Sequence, residues 1–160
     1  MSNTVWEFTN QRKLSKKEFI DYFERKVFRT IRKYQMLALN KKIALKTSPN
    51  LNTKVLKAVL EKKFQVKFTS KPNISTDNLS QIAEDTFKNI LQGKFIKPTL
   101  NNKPLQFLSD KEIELYANLT NIKGSKRKQD KKIQKLFGKF LKKNQDLELN
   151  IIKASNQLNE

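Results

Sequence analysis

Hydrophobic positions recur along this chain with two periods, and the switches between them divide it into elements. Ser15-Lys16-Lys17-Glu18 has the spacing of a capping box, in which two ends of one turn satisfy each other's backbone donors. Behind it Phe19, Phe23, Val27, Ile31 and Tyr34 recur at helical spacing, which predicts a long helix to about Leu37. Lys42–Thr47 reads as a strand and Asn52–Lys63 as an amphipathic helix. Phe64, Val66 and Phe68 then alternate with Gln65 and Lys67, the period of a half-buried strand. After a loop containing Pro72, a helix is predicted from about Asp77 to Gln92. It buries Leu79, Ile82, Ala83, Phe87 and Ile90, with Gly93 at the stop, where positive φ is wanted.

Residues 94–108 carry Pro98 and Pro104 and are expected to end in a short strand, Leu105–Leu108. Ser109-Asp110-Lys111-Glu112 is a second capping box and opens a helix through Leu119. Lys123–Lys132 reads as a mobile basic hinge, followed by helices over about Asp130–Lys142 and Asp146–Gln157. The expected fold class is α/β, with a reduced parallel sheet of two or three strands flanked by helices and a helical C-terminal extension. Residues 1–14 are expected to be loose, with Val5, Trp6 and Phe8 available to dock. Residues 15–122 form the α/β domain, and 123–160 form the basic hinge and C-terminal helices. So small a sheet leaves an edge that a partner chain could cover.

Charge changes the picture more than any other bulk property. The 160 residues carry a formal net charge of +19, far beyond what solubility requires. Such an excess attracts polyanions, RNA foremost. There is no Cys and no His, which removes zinc fingers, iron–sulfur ligation, thiol nucleophiles and imidazole bases together. No apolar run approaches a membrane span and the N-terminus lacks a secretory apolar core, so a cytoplasmic location is expected, without membrane contact. The helix carrying Ile133, Leu136, Phe137, Phe140 and Leu141, edged by lysines, has the composition of a membrane-surface helix, but packing on the α/β body is the simpler account.

Few residues propose chemistry. Lys42–Leu60 runs strand, tight loop, helix, the order of phosphate-binding loops, yet the loop Ser48-Pro49-Asn50-Leu51-Asn52-Thr53 has no glycine, lysine or aspartate. The Thr53 hydroxyl and free helix N–H groups could still meet an anion, but an ordinary capped turn explains the segment better. Glu84 and Asp85 are neighbours on a helix, about 100° apart, and do not converge on one atom. Asp110, Glu112 and Glu114 suit a helix start. No constellation for acid–base or nucleophilic catalysis emerges. Cations do cluster, as Lys16, Lys17, Arg25, Lys26, Arg29, Arg32 and Lys33 on the first helix and as Lys123, Lys126, Arg127, Lys128, Lys131 and Lys132 in the hinge. Arginines suit phosphate because their planar donors bind it bidentately.

Four blocks in order resemble one family, the archaeal and eukaryotic tRNA 2-thiouridine synthetases, which are ATP pyrophosphatases of the PP-loop type. They are Phe23–Tyr34, Lys42–Leu60, Asn78–Asp85 continuing through Asn89–Gly93, and Lys103–Ala117. Phe140–Leu158 is similar more loosely. The resemblance implies an adenine nucleotide alpha hydrolase-like sheet, truncated here, because the family would hold more strands between Phe68 and Asn78. It places the PP-loop, which the family writes S-G-G-x-D-S, at Ser48–Thr53. Pro49 offers no N–H, Asn50 adds a side chain where close approach is needed, and Asn52 lacks the carboxylate expected to help hold Mg²⁺. An acidic pair of the second motif becomes Ser80 and Gln81, and the family's cysteines have no counterpart. The resemblance therefore implies a non-catalytic tRNA-binding relative of the thiolation enzymes, without cofactor or metal. Its RNA-binding residues would be Arg25, Lys26, Arg29, Arg32, Lys33 and the hinge cations, and it would serve as inactive partner of an active PP-loop subunit. A basic structural protein attached to the ribosome is the alternative, and a residual nucleotide-binding enzyme is a third.

Overall fold

The first ordered feature corrects an expectation. In the computed structural model, which describes residues 3–37 and 42–158, the N-terminal segment is a hairpin rather than a loose arm. Strand β1 (Thr4–Glu7) pairs antiparallel with β2 (Lys13–Ser15), and Gln11 turns the chain at φ 66°. Val5, Trp6 and Phe8 pack on the core, with the Trp6 ring 5.6 Å from Phe19, so apolar burial orders the polar segment. Residues 1–2 lie outside the described residues.

Helix α1 (Lys16–Lys33) begins at the predicted box. Glu18 N–H donates to Ser15 Oγ, and Ser15 N–H donates to the Glu18 carboxylate at 2.8 Å. Phe19, Phe23, Val27 and Ile31 are buried, as their spacing requires. The helix stops short of Leu37 because Gln35 adopts a left-handed φ of 49°, which no α-helix can continue.

Strand β3 (Lys42–Leu45), helix α2 (Leu51–Leu60) and strand β4 (Gln65–Phe68) form the strand–helix–strand unit. β3 and β4 pair in parallel from Lys42↔Gln65 to Leu45↔Phe68, an arrangement that needs a crossover such as α2. The parallel sheet has two strands. The other edge of β3 is met within the chain, where Ala44 N–H donates to Asn73 Oδ1 at 2.9 Å and Asn73 N–H to Ala44 O at 3.1 Å. That edge needs no partner chain at Ala44.

Helices α3 (Leu79–Leu91), α4 (Asp110–Leu119), α5 (Lys131–Leu141) and α6 (Leu147–Leu158) complete the fold. The expected strand Leu105–Leu108 is instead a run of turns. Gln106 Nε2 donates to Leu100 O and Lys103 O, and Leu108 N–H to Leu105 O, so this backbone bonds locally while Leu105 and Leu108 fill the core. One core cluster joins the hairpin, α1, α2, β3 and α4, and a second joins α3 to α5 and α6. Packing thus crosses the boundary drawn at 122/123.

Candidate functional site

At the loop after β3, the anion-binding position is already filled by the chain itself. Asn50 caps α2, its side chain accepting from Thr53 N–H at 2.9 Å. Leu51 N–H donates to Ser125 O at 2.7 Å, and Ser125 N–H donates to Pro49 O at 3.1 Å. The Ser125 carbonyl therefore takes a donor that a phosphate oxygen would take at such a helix start. Gly124 permits this close approach, since a Cβ there would stand 3.1 Å from both Leu51 Cα and Pro49 O. Asn52 and Thr53 are buried, and Asn52 Nδ2 donates to Thr76 O at 3.2 Å. The gap left among Asn52, Asp110 and Arg127 measures about 10 Å³, room for one water at most. The donors that the sequence left open at Asn50–Thr53 are occupied or buried.

The hinge is bonded to the body of the fold at Ser125 and Arg127, and Arg127 is not presented to solvent. Its side chain is buried and ends between two helices. Nε donates to Asp110 Oδ1 at 2.8 Å, Nη2 to Asp110 Oδ2 at 2.8 Å, and both Nη groups to Glu84 Oε2 at 3.2 Å. Burial works against the charge, but the bonds and charge of Asp110, then of Glu84, outweigh it and hold the guanidinium's pKa above its usual value. Ser80 and Gln81, the positions where the resembling family is acidic, belong to this network. Gln81 Oε1 accepts from Arg127 at 3.1 Å, while Ser80 accepts from Asp110 N–H at 2.9 Å and donates to Glu148 at 2.7 Å. Glu84 and Asp110, read from sequence as unrelated helix acids, thus converge through a residue that neither is near in the chain.

Beside this network opens a cavity of about 520 Å³, bounded by the hairpin, α1, α4 and the C-terminal helices, which the sequence did not announce. Lys26 and Tyr22 reach it from α1, and Glu112, Asp146 and Glu148 from α4 and the C-terminal region. Lys26 Nζ donates to Tyr22 Oη at 2.8 Å, and Tyr22 donates to Glu112 at 2.7 Å. Burial, then the Glu112 charge, push the Tyr22 phenol pKa far up and keep it protonated. Burial pulls the Lys26 ammonium down, against the pull of Glu112 and Asp146. Burial also raises Glu148, against the Ser80 hydrogen bond. Lys26, predicted as an RNA contact, faces this acidic cavity and not the open surface.

The remaining predicted cations are outward. Arg25 pairs with Asp21 at 3.0 Å in an exposed contact, whereas Arg29 and Arg32 meet no acid among the described residues. Lys33 lies over the Tyr34 and Phe107 rings. Arg25, Arg29 and Arg32, spaced four and three residues apart, share the solvent face of α1. Lys123, Lys128, Lys131 and Lys132 are exposed, and Lys126 pairs with Glu114 at 3.4 Å.

No family model matches this chain, and no curated protein does. Among solved structures, the chain is similar to the U34-tRNA thiolase NcsA from Methanococcus maripaludis with its 4Fe-4S cluster. The TM-score is 0.73, over 97% of this chain and 84% of that one, at 14% identity. At that identity the likeness is one of fold. Clusters of this kind are held by cysteine thiolates, and a chain with no Cys does not fit one.

Proposed function

We propose that this chain is a non-catalytic RNA-binding protein built on the thiolase fold, with tRNA as its RNA and an active PP-loop protein as its partner. The observation that carries the reading is the filled loop. The α2 N-terminus gives the Leu51 N–H to Ser125, and Pro49 has none to give, which removes two of the donors that a pyrophosphate cradle would use. The cations that remain outward, Arg29 and Arg32 with Arg25, form a phosphate-binding stripe that no internal acid neutralises at its centre. The solved protein of similar fold is a tRNA thiolase, which favours tRNA over other polyanions.

Filter binding of the purified chain to tRNA at low and physiological salt, beside calorimetry with Mg·ATP, tests this. Binding to tRNA that weakens steeply with salt, without heat from Mg·ATP, is expected. Saturable Mg·ATP binding would return the loop to nucleotide chemistry. Absence of tRNA binding at both salts would remove RNA from the account.

A further inference from the structure

Helix α5 is basic in a different manner from α1, and its exposed side is not purely polar. Its eleven residues carry four lysines and no acid, and Lys142 and Lys143 follow it. Placed at about 100° per residue, its side chains fall in one unbroken order: Phe137, Ile133, Phe140, Leu136, Lys132, Lys139, Lys135. Phe137 and Ile133 are buried against α3 and α6, in the cluster with Leu79, Ile82 and Ile152. Phe140 and Leu136, next in order, are 58% and 43% exposed. The packing expected from sequence therefore accounts for Ile133, Phe137 and, in part, Leu141. Leu136 and Phe140 face solvent, bordered by lysines whose side chains meet no acid among the described residues.

We propose that this edge of α5 rests on an anionic lipid surface, with Leu136 and Phe140 entering the headgroup boundary and Lys132, Lys135 and Lys139 meeting the lipid phosphates. An apolar edge that passes directly into a lysine band is the geometry of an interfacial helix. Eleven residues are too few to span a bilayer, which needs about 20, so the helix lies on the surface. Charge opposes a symmetric contact with a second copy, since the lysine bands would meet. Two exposed side chains fall well short of the roughly 800 Å² per partner that a stable protein interface buries. A lipid surface needs no matching shape, because lysines supply much of the attraction. RNA is the weaker fit, as Leu136 has no π-face for stacking and the band lacks the arginines that α1 carries.

The full chain is to be sedimented with vesicles of phosphatidylcholine alone, or mixed in equal parts with phosphatidylglycerol. Binding at least about tenfold stronger to the mixed vesicles, and weakened by salt, is expected. Leu136→Ser with Phe140→Ser should lower that binding about tenfold while thermal melting is unchanged. In a Phe140→Trp chain, the added indole should shift its emission to the blue on anionic vesicles, whereas the wild type, with Trp6 alone, should not. No binding to mixed vesicles, equal binding to both, or binding indifferent to the double serine variant overturns the proposal. Loss of RNA affinity in the serine variant, without vesicle binding, reassigns the edge to RNA. The tRNA assay on wild-type chain reports separately on the function proposed above.

Discussion

Helix α1 and the segment 123–130 are both basic in sequence, yet they place their arginines oppositely. The segment turns its one arginine inward, where Asp110, Glu84, Gln81 and the Lys128 carbonyl take its donors. The helix turns Phe19, Phe23 and Val27 inward and leaves Arg25, Arg29 and Arg32 to solvent. The difference follows from how each is held. A helix with a full apolar face is fixed by burial, and its cations are free to serve a ligand. A segment without regular structure, holding few apolar side chains, is fixed by polar contacts, so its cation becomes part of the fixing. Basic residues therefore indicate a polyanion site only where something else does the folding.

The sharpest test of this contrast is Arg127→Ala. Removing one member of a buried ion pair leaves carboxylates unpaired, and the loss should reach about 3–5 kcal/mol in urea denaturation. Arg127→Lys should recover little of it, because an ammonium cannot bridge Asp110 and Glu84 in two directions. RNA affinity per folded molecule should not change. An Arg127→Ala chain of native stability with weakened RNA binding would erase the contrast.

The converse variant replaces Arg25, Arg29 and Arg32 with Gln. Stability should stay within about 0.5 kcal/mol, since these are surface positions and the Asp21 pair is exposed. Affinity for tRNA should fall by roughly ten- to a hundredfold at low salt, with the salt slope reduced by about 2 in gel-shift titrations, as three lost phosphate contacts require. An unchanged slope would move the RNA site off α1.

Two glycines extend the contrast to the loop. Gly124→Ala forces a methyl to 3.1 Å from the Leu51 and Pro49 backbone and should destabilise by about 1–2 kcal/mol through overpacking. Gly138, inside α5 with nothing within 4 Å of a Cβ, should instead gain about 0.5–1 kcal/mol as Ala. Thermal melts of the two variants should move in opposite directions. If both stabilise, the packing of 124–125 on the loop is not tight.

Locally coded features were legible, and features completed at a distance were not. Both capping boxes, the apolar stripe of α1 and the strand–helix–strand unit rest on residues within a few positions of each other. Each appears where its spacing places it. Arg127 reads as one cation among several because its partners lie 17 and 43 residues away. The cavity with Tyr22, Lys26 and Glu112 was hidden for the same reason, its relay joining residues 90 apart. The early stop of α1 at Gln35 was invisible because nothing about a glutamine announces positive φ. The frame of the loop could be seen, and the missing glycines noted. That the vacancy is closed by Ser125 required knowing where the hinge lies.

The smallest effect concerns the acid at the rear of the Arg127 network. Burial raises the Glu148 pKa above its ordinary value, with Asp110 adding to the shift and Ser80 and Arg127 opposing it. The neutral acid is therefore more favoured in the folded chain than in the unfolded one. A group whose folded pKa exceeds its unfolded value contributes stability fully present below the unfolded pKa and lost as pH rises through the folded one. The unfolded reference is 4.5, so wild-type stability should carry a component that declines as pH climbs from there. Glu148→Gln keeps an oxygen for the Ser80 hydroxyl and cannot ionise. Relative to wild type it should gain stability at neutral pH and nothing below pH 4.5. Urea midpoints at the two pH values separate this from a general packing change, which would shift both alike. A Gln variant less stable at neutral pH would mean that the Glu148 charge is needed by Arg127, and that the inward cation draws on three carboxylates rather than two.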